Sequence, residues 1–214
     1  MKTLFSILVL PLPALFMSAL PGRAETVDRI AVSVGTQVIA ESSVFLDIRV
    51  VAFLEKGPIV ISAETKRKAA ERLVDQVLIL REANESHLTL PTSDMAAPLL
   101  AQVKAGHGSA YEAELKRCGV TESDVVAQLL AGLKTSAFTD LRFRPAVQVT
   151  EAELREYYEK LKTQRPGAEA PPFESSRAEI EQLFVGQRVL DALDQWLSSA
   201  RAAAHPDYRE RVFQ

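Results

Sequence analysis

A single cysteine, Cys118, rules out an internal disulfide, so stability has to come from packing. Two readings of that thiol stay open. It is a small apolar residue near a helix end, since Gly119 follows and glycine favours that position, or a free thiol that pairs with another chain. Histidine is also scarce. His87, His107 and His205 lie far apart, and none stands beside another metal-ligand type at ligand spacing. There is no glycine-rich phosphate loop, no Gly-x-Ser-x-Gly and no His-Glu-x-x-His. The carboxylate pairs Glu112/Glu114 and Asp191/Asp194 are of the kind common on solvated helices, and no base is signalled near Cys118. No catalytic residue, metal or cofactor is therefore expected. Neither sign of charge dominates. The formal charge is −3, with 25 basic and 28 acidic residues interspersed, which argues against a nucleic-acid partner. Lys66-Arg67-Lys68 is the one basic run, and a solvated helix face is its expected place. No repeat and no low-complexity tract is present.

What is there begins with an apolar leader. Met1-Lys2 gives a positive start, and Leu4 to Leu20 is apolar apart from two serines and the breaks at Pro11 and Pro13. Gly22-Arg23-Ala24 offers small residues where a signal peptidase reads, so residues 1–24 are expected to be a signal peptide cut before Glu25. A retained membrane anchor is the competing reading. Cleavage would remove Lys2 and Arg23 and leave a net charge of −5. Residues 25–214 are expected to form one exported, periplasmic domain with its own core.

Ile30, Val32 and Val34 alternate with Ala31 and Ser33, the period of a half-buried strand. Gly35-Thr36 suits a tight turn, and Gln37 to Ala40 is expected to return as a second strand. Ser42 or Ser43 is expected to cap a helix bearing Val44, Phe45, Ile48, Val51 and Ala52, stopped by Gly57-Pro58. A helix is expected over about 62–86, in which Leu73, Val74, Val77, Leu78, Ile79 and Leu80 are apolar nearly all round, which makes it central. Thr92 or Ser93 is expected to cap the next helix, broken at Gly106-His107-Gly108. Ser109–Glu112, Thr121–Asp124 and Thr150–Glu153 have the spacing of capping boxes. The second opens a long helix that Pro145 ends, and the third opens a helix with Leu154, Tyr157, Tyr158 and Leu161 on one face. Residues 162–173, rich in proline, read as an exposed linker. A last long helix carries Ile180, Leu183, Phe184, Leu190, Leu193 and Leu197, with Val189 and Trp196 alongside, and Pro206 closes it. Residues 208–213 are expected as a strand joining the N-terminal hairpin. The fold expected is mainly α with a small β-sheet.

Most aromatic residues fall on helix faces that need burial. Phe53, Phe138 and Phe143 stand near helix ends and are the exceptions expected to line an apolar groove for an extended peptide.

Three stretches carry a resemblance to the N-terminal core of the SurA-type periplasmic chaperones, relatives of other parvulin-carrying foldases. Asp28–Val34 with Gln37–Ser42 resembles the family's opening, Leu73–Ala83 its central helix, and Val147–Tyr158 the segment before its isomerase domain. The resemblance covers nearly all of residues 25–214 in order. It implies a helical domain that holds unfolded exported or outer-membrane proteins without ATP. Linker 162–173 stands where that family normally inserts a parvulin domain. It is about a dozen residues where a domain needs on the order of a hundred. Prolyl isomerase activity is therefore not expected, and no family binding residue transfers to a numbered position here. The alternative is a structural or assembly subunit that binds one fixed partner in the cell envelope.

Overall fold

The computed structural model describes residues 28–164 and 171–214. The expected signal peptide and its cleavage site lie outside the described residues, as does the middle of the expected linker. The chain is mainly helical with one small antiparallel sheet. Strands β1 (Ile30–Val34) and β2 (Gln37–Ala40) form the hairpin. Gly35 takes a φ of +59°, which a side chain would resist and the turn requires. β3 (Asp207–Tyr208) pairs with the free edge of β1, giving the order β2-β1-β3. The C-terminal strand is thus present, but only two residues long. The chain then turns tightly over Glu210–Val212 and buries Val212 and Phe213.

The strand alternation is modified by a bulge. Register shifts between Ile30 and Val32, so Ala31 and Val32 are both fully buried while Ile30 is 44 % exposed. Strict alternation would have buried Ile30.

Helix α1 (Glu41–Leu54) starts directly from β2, without a cap from Ser42 or Ser43. The hairpin brings Asp28 beside it instead. The Asp28 carboxylate accepts bonds from the Ser42 amide (3.2 Å) and hydroxyl, and the Glu41 amide donates to the Arg29 carbonyl (2.7 Å). The bond from Ser42 holds the Asp28 carboxyl below its ordinary value. A residue outside the helix in sequence therefore serves as its anion at the positive end. The helix closes with Lys56, not Gly57, in the left-handed region (φ +54°), and the Gly57 amide reaches back to the Ala52 carbonyl at 2.9 Å.

Helix α2 (Ala63–Glu85) opens on a box between Ser62 and Thr65 and occupies the centre, packing on the sheet, α1, α5 and α7. The basic run at its start is not a solvated face. Lys66 is buried, with its ammonium 2.7 Å from the Gln214 backbone oxygen, and Arg67 lies 3.7 Å over the Tyr208 ring. Both fasten the C-terminal segment to the body. Of the three, Lys68 is the one that points to solvent, where it pairs with Glu64.

Helices α3 (Ala97–His107) and α4 (Tyr111–Cys118) follow. Ser109 makes no cap, because the chain turns tightly over Gly108–Ala110 before α4 begins. Gly119 ends α4 in the left-handed region, and Cys118 is 1 % exposed in a cluster with Phe53, Tyr111 and Val125. Its burial raises the thiol pKa.

Helix α5 (Glu122–Phe143) opens on the expected Thr121–Asp124 box, each side chain bonding the other's amide (2.8 and 3.2 Å). Helix α6 (Glu151–Gln164) opens on the Thr150–Glu153 box. Helix α7 (Phe173–Ala204) runs 32 residues, roughly 48 Å at helical rise. The helices thus take in both ends of the expected linker, Lys162–Gln164 and the buried Phe173. The N-terminal part of α7 packs with α6 through Leu154, Tyr157, Tyr158, Phe173, Ile180 and Phe184, forming a two-helix arm with its own apolar cluster. The C-terminal part joins the body, where Leu193, Leu197 and Trp196 meet Ile79 of α2 and Phe138 of α5.

Candidate functional site: a groove between three helices

Helix α5 buries only Val125, Phe138 and Thr139. Its two ends are held in clusters, and its middle stands away from α2 and α7. The space left is an open groove of about 620 Å³ between α2, α5 and α7. Its floor is Ile79, Val189, Leu193 and Leu197. Leu190 forms a lip and is 58 % exposed. The middle of the α5 wall is small and uncharged, with Gly132, Thr135 and Ser136 between Gln128 and Asp140, and Gly186 stands opposite on α7. A methyl placed on either glycine would meet no atom within 4 Å. Glycine inside a helix costs about 1 kcal/mol relative to alanine, so the openness here is maintained against helix propensity. A second cleft of about 240 Å³ lies on the other side of α5, and Gln76, Ile79 and Thr135 line both.

Charges around the groove are matched in pairs. Arg201 forks onto Asp75, with Nε to Oδ1 at 2.6 Å and Nη2 to Oδ2 at 2.5 Å; this bond raises the pKa of Arg201. Arg144 holds Asp140 at 2.7 Å. Arg72 on the rim bonds Asp47 of α1, which is buried behind it. Burial pushes the Asp47 carboxyl above its ordinary value, and the Arg72 bond and charge only partly oppose this. Asp47 Oδ1 and Arg72 Nε are buried without a bonding partner. The Thr139 hydroxyl is satisfied by the Thr135 carbonyl at 2.7 Å. Such a lining offers an occupant apolar area and a few amide and hydroxyl groups, with little net charge.

The three aromatic residues expected at a peptide groove do not line this one. Phe53 and Phe138 are fully buried. Phe53 stacks on His107 at 4.4 Å and meets Tyr111 edge-on at 5.7 Å, because α3 and α4 fold back over the end of α1. Phe138 lies 5.1 Å from Trp196 and 5.8 Å from Phe143, sealing α5 to α7. Phe143 is half-buried in the same cluster. A position near a helix end brings no full exposure here, because in each case another element packs on that end. The residues that do open the groove, Gly132, Gly186 and Leu190, had one usable signal. An isolated glycine inside a helical pattern costs about 1 kcal/mol against alanine and so points to a packing or functional reason. The exposure of Leu183 and Leu190 also departs from the expected buried face of α7.

No protein-family model and no curated protein matches the chain. Among the described residues no group of three or more His, Cys, Asp or Glu side chains is placed to hold a metal ion. Among them, too, no helix is long and apolar enough to cross a membrane. The functional reading therefore rests on the groove and on the sequence.

Proposed function

We propose that the protein is an ATP-independent holder of unfolded or extended polypeptides, acting on exported proteins in the periplasm and without prolyl isomerase activity. The observation that carries this is the open groove between α2, α5 and α7. Its apolar floor, exposed leucine lip and glycine-lined walls suit a chain of no fixed sequence. An extended segment brings its backbone close where Gly132 and Gly186 carry no side chain. Affinity comes from apolar area, and the client loses conformational freedom on binding, so binding is weak and tolerant of sequence. The apolar leader and the resemblance to the SurA-type core support the location and the client class.

The test is aggregation of an unfolded outer-membrane protein diluted from urea, run beside isomerisation of a proline test peptide. Suppression at stoichiometric amounts without isomerisation is expected. Leu190→Asp removes an exposed apolar contact and should weaken suppression by about tenfold, as expected for losing one buried leucine contact. Its effect on stability should stay within about 0.5 kcal/mol, because the residue is on the surface. Full activity in Leu190→Asp would remove the groove from the mechanism. Absence of suppression together with capture of one stoichiometric envelope protein would support the assembly subunit instead.

A further inference from the structure

We propose that α7 bends at Gly186 and that the α6–α7 arm is a lid over the groove. This rests on the reading of the groove as a polypeptide site. Four observations meet at this point of the chain. The apolar cluster of the arm ends at Phe184, and that of the body begins on α7 at Leu193, with no buried residue between Ile180 and Val189. Gly186 stands in that gap, where its Cβ position is empty within 4 Å. The other covalent link between arm and body is the extended stretch 147–150, outside any helix or strand. The arm faces the groove with an unburied leucine. Leu183, Gly186 and Leu190 share one face of α7 by their spacing of three and four, and the last two line the groove. Leu183 is 50 % exposed, one turn above the groove mouth. Bending toward α5 would set Leu183 over whatever the groove holds.

Arg188 acts as the latch of the straight form. It crosses the gap from the body side to Glu153 at 2.6 Å and to the Gln148 carbonyl at 3.4 Å. Both side chains are more than a third exposed, at 40 % and 34 %, so the pair is weak enough to open thermally.

Spin labels at Arg81→Cys on α2 and Glu179→Cys on the arm report the motion, both positions being exposed. Cys118 is 1 % exposed and stays unlabelled. In the client-free protein a broad distance distribution is expected. Gly186→Ala, which favours the helix about fivefold, should narrow it. Arg188→Met should widen it. Saturating reduced and alkylated α-lactalbumin, an unfolded chain, should shift the wild type to the short end, and Gly186→Ala should bind it more weakly by several-fold. One narrow distribution common to all three proteins overturns the hinge. Widening by Arg188→Met without narrowing by Gly186→Ala moves the bend to 147–150 and overturns the role of Gly186. Binding of the chain with no shift overturns the lid. A hinge that behaves as expected in a protein that binds no unfolded chain leaves the hinge standing and removes the proposed function.

Discussion

Replacing Arg72 by methionine tests the electrostatics behind the groove. Asp47 is 4 % exposed, and its one strong partner is the Arg72 guanidinium. Methionine retains much of the apolar stem and removes the charge. The carboxylate then lies buried beside an apolar side chain. Breaking a fully buried pair costs about 3–5 kcal/mol. The side chain of Arg72 is 42 % exposed, so solvent already screens part of the attraction and the loss falls to the bottom of that range or just below it, about 2–3 kcal/mol at pH 7. The loss also has a ceiling. Asp47 can accept a proton, and doing so at pH 7 from an ordinary value of 3.8 costs about 4 kcal/mol. The pH dependence follows. The folded-state pKa of Asp47 is already raised by burial, so the folded protein holds this proton more tightly than the unfolded chain does. The stability from that proton is fully present below 3.8 and is lost as pH rises through the raised value. Without Arg72 the value rises further, and the window extends toward neutrality. The variant should therefore be most destabilised at pH 7 and recover by roughly 1–2 kcal/mol at pH 5 relative to wild type. Urea unfolding of both proteins at the two pH values measures this. An equal loss at pH 5 and pH 7, or a loss under about 0.5 kcal/mol, would refute the account of Asp47 as a buried charge held by Arg72.

Two further substitutions probe the scaffold that keeps the groove open. Phe138→Ala should cost about 3–5 kcal/mol, since the ring is fully buried and seals α5 to α7. Trp196, the one tryptophan of the chain, lies 5.1 Å away, so its emission should shift to longer wavelength even in the folded variant. An unchanged spectrum with full stability would contradict the packing described. Thr121→Ala removes one half of the capping box of α5 and should cost about 1 kcal/mol by thermal or urea unfolding, with no effect on client binding.

Sequence patterning was most informative where a local rule acts alone. The Thr121–Asp124 and Thr150–Glu153 boxes, the hairpin turn at Gly35 and the left-handed Gly119 each need only a few neighbouring residues, and each stands where the spacing places it. The central position of α2 was legible for a related reason. Its middle, Leu73 to Leu80, is apolar nearly all round and has little face to offer water.

Local rules failed where a distant segment supplied the partner. Asp28 caps α1 across the hairpin, so Ser42 is a donor to it rather than the cap. Lys66 and Arg67 look like a solvated basic run until the C-terminal residues fold under them. The bulge at Ala31 turns Ile30 outward, which periodicity alone does not register.

The sequence by itself determined the helices, the hairpin and the mainly α class, because hydrophobic period, caps and turn residues are encoded within a few positions of one another. Only the tertiary structure decided the groove. Its shape depends on how far α5 stands from α2 and α7, and that separation is set by clusters at the two ends of α5. Phe53 and Phe138 went to those clusters, and the open surface was left to Gly132, Gly186 and Leu190.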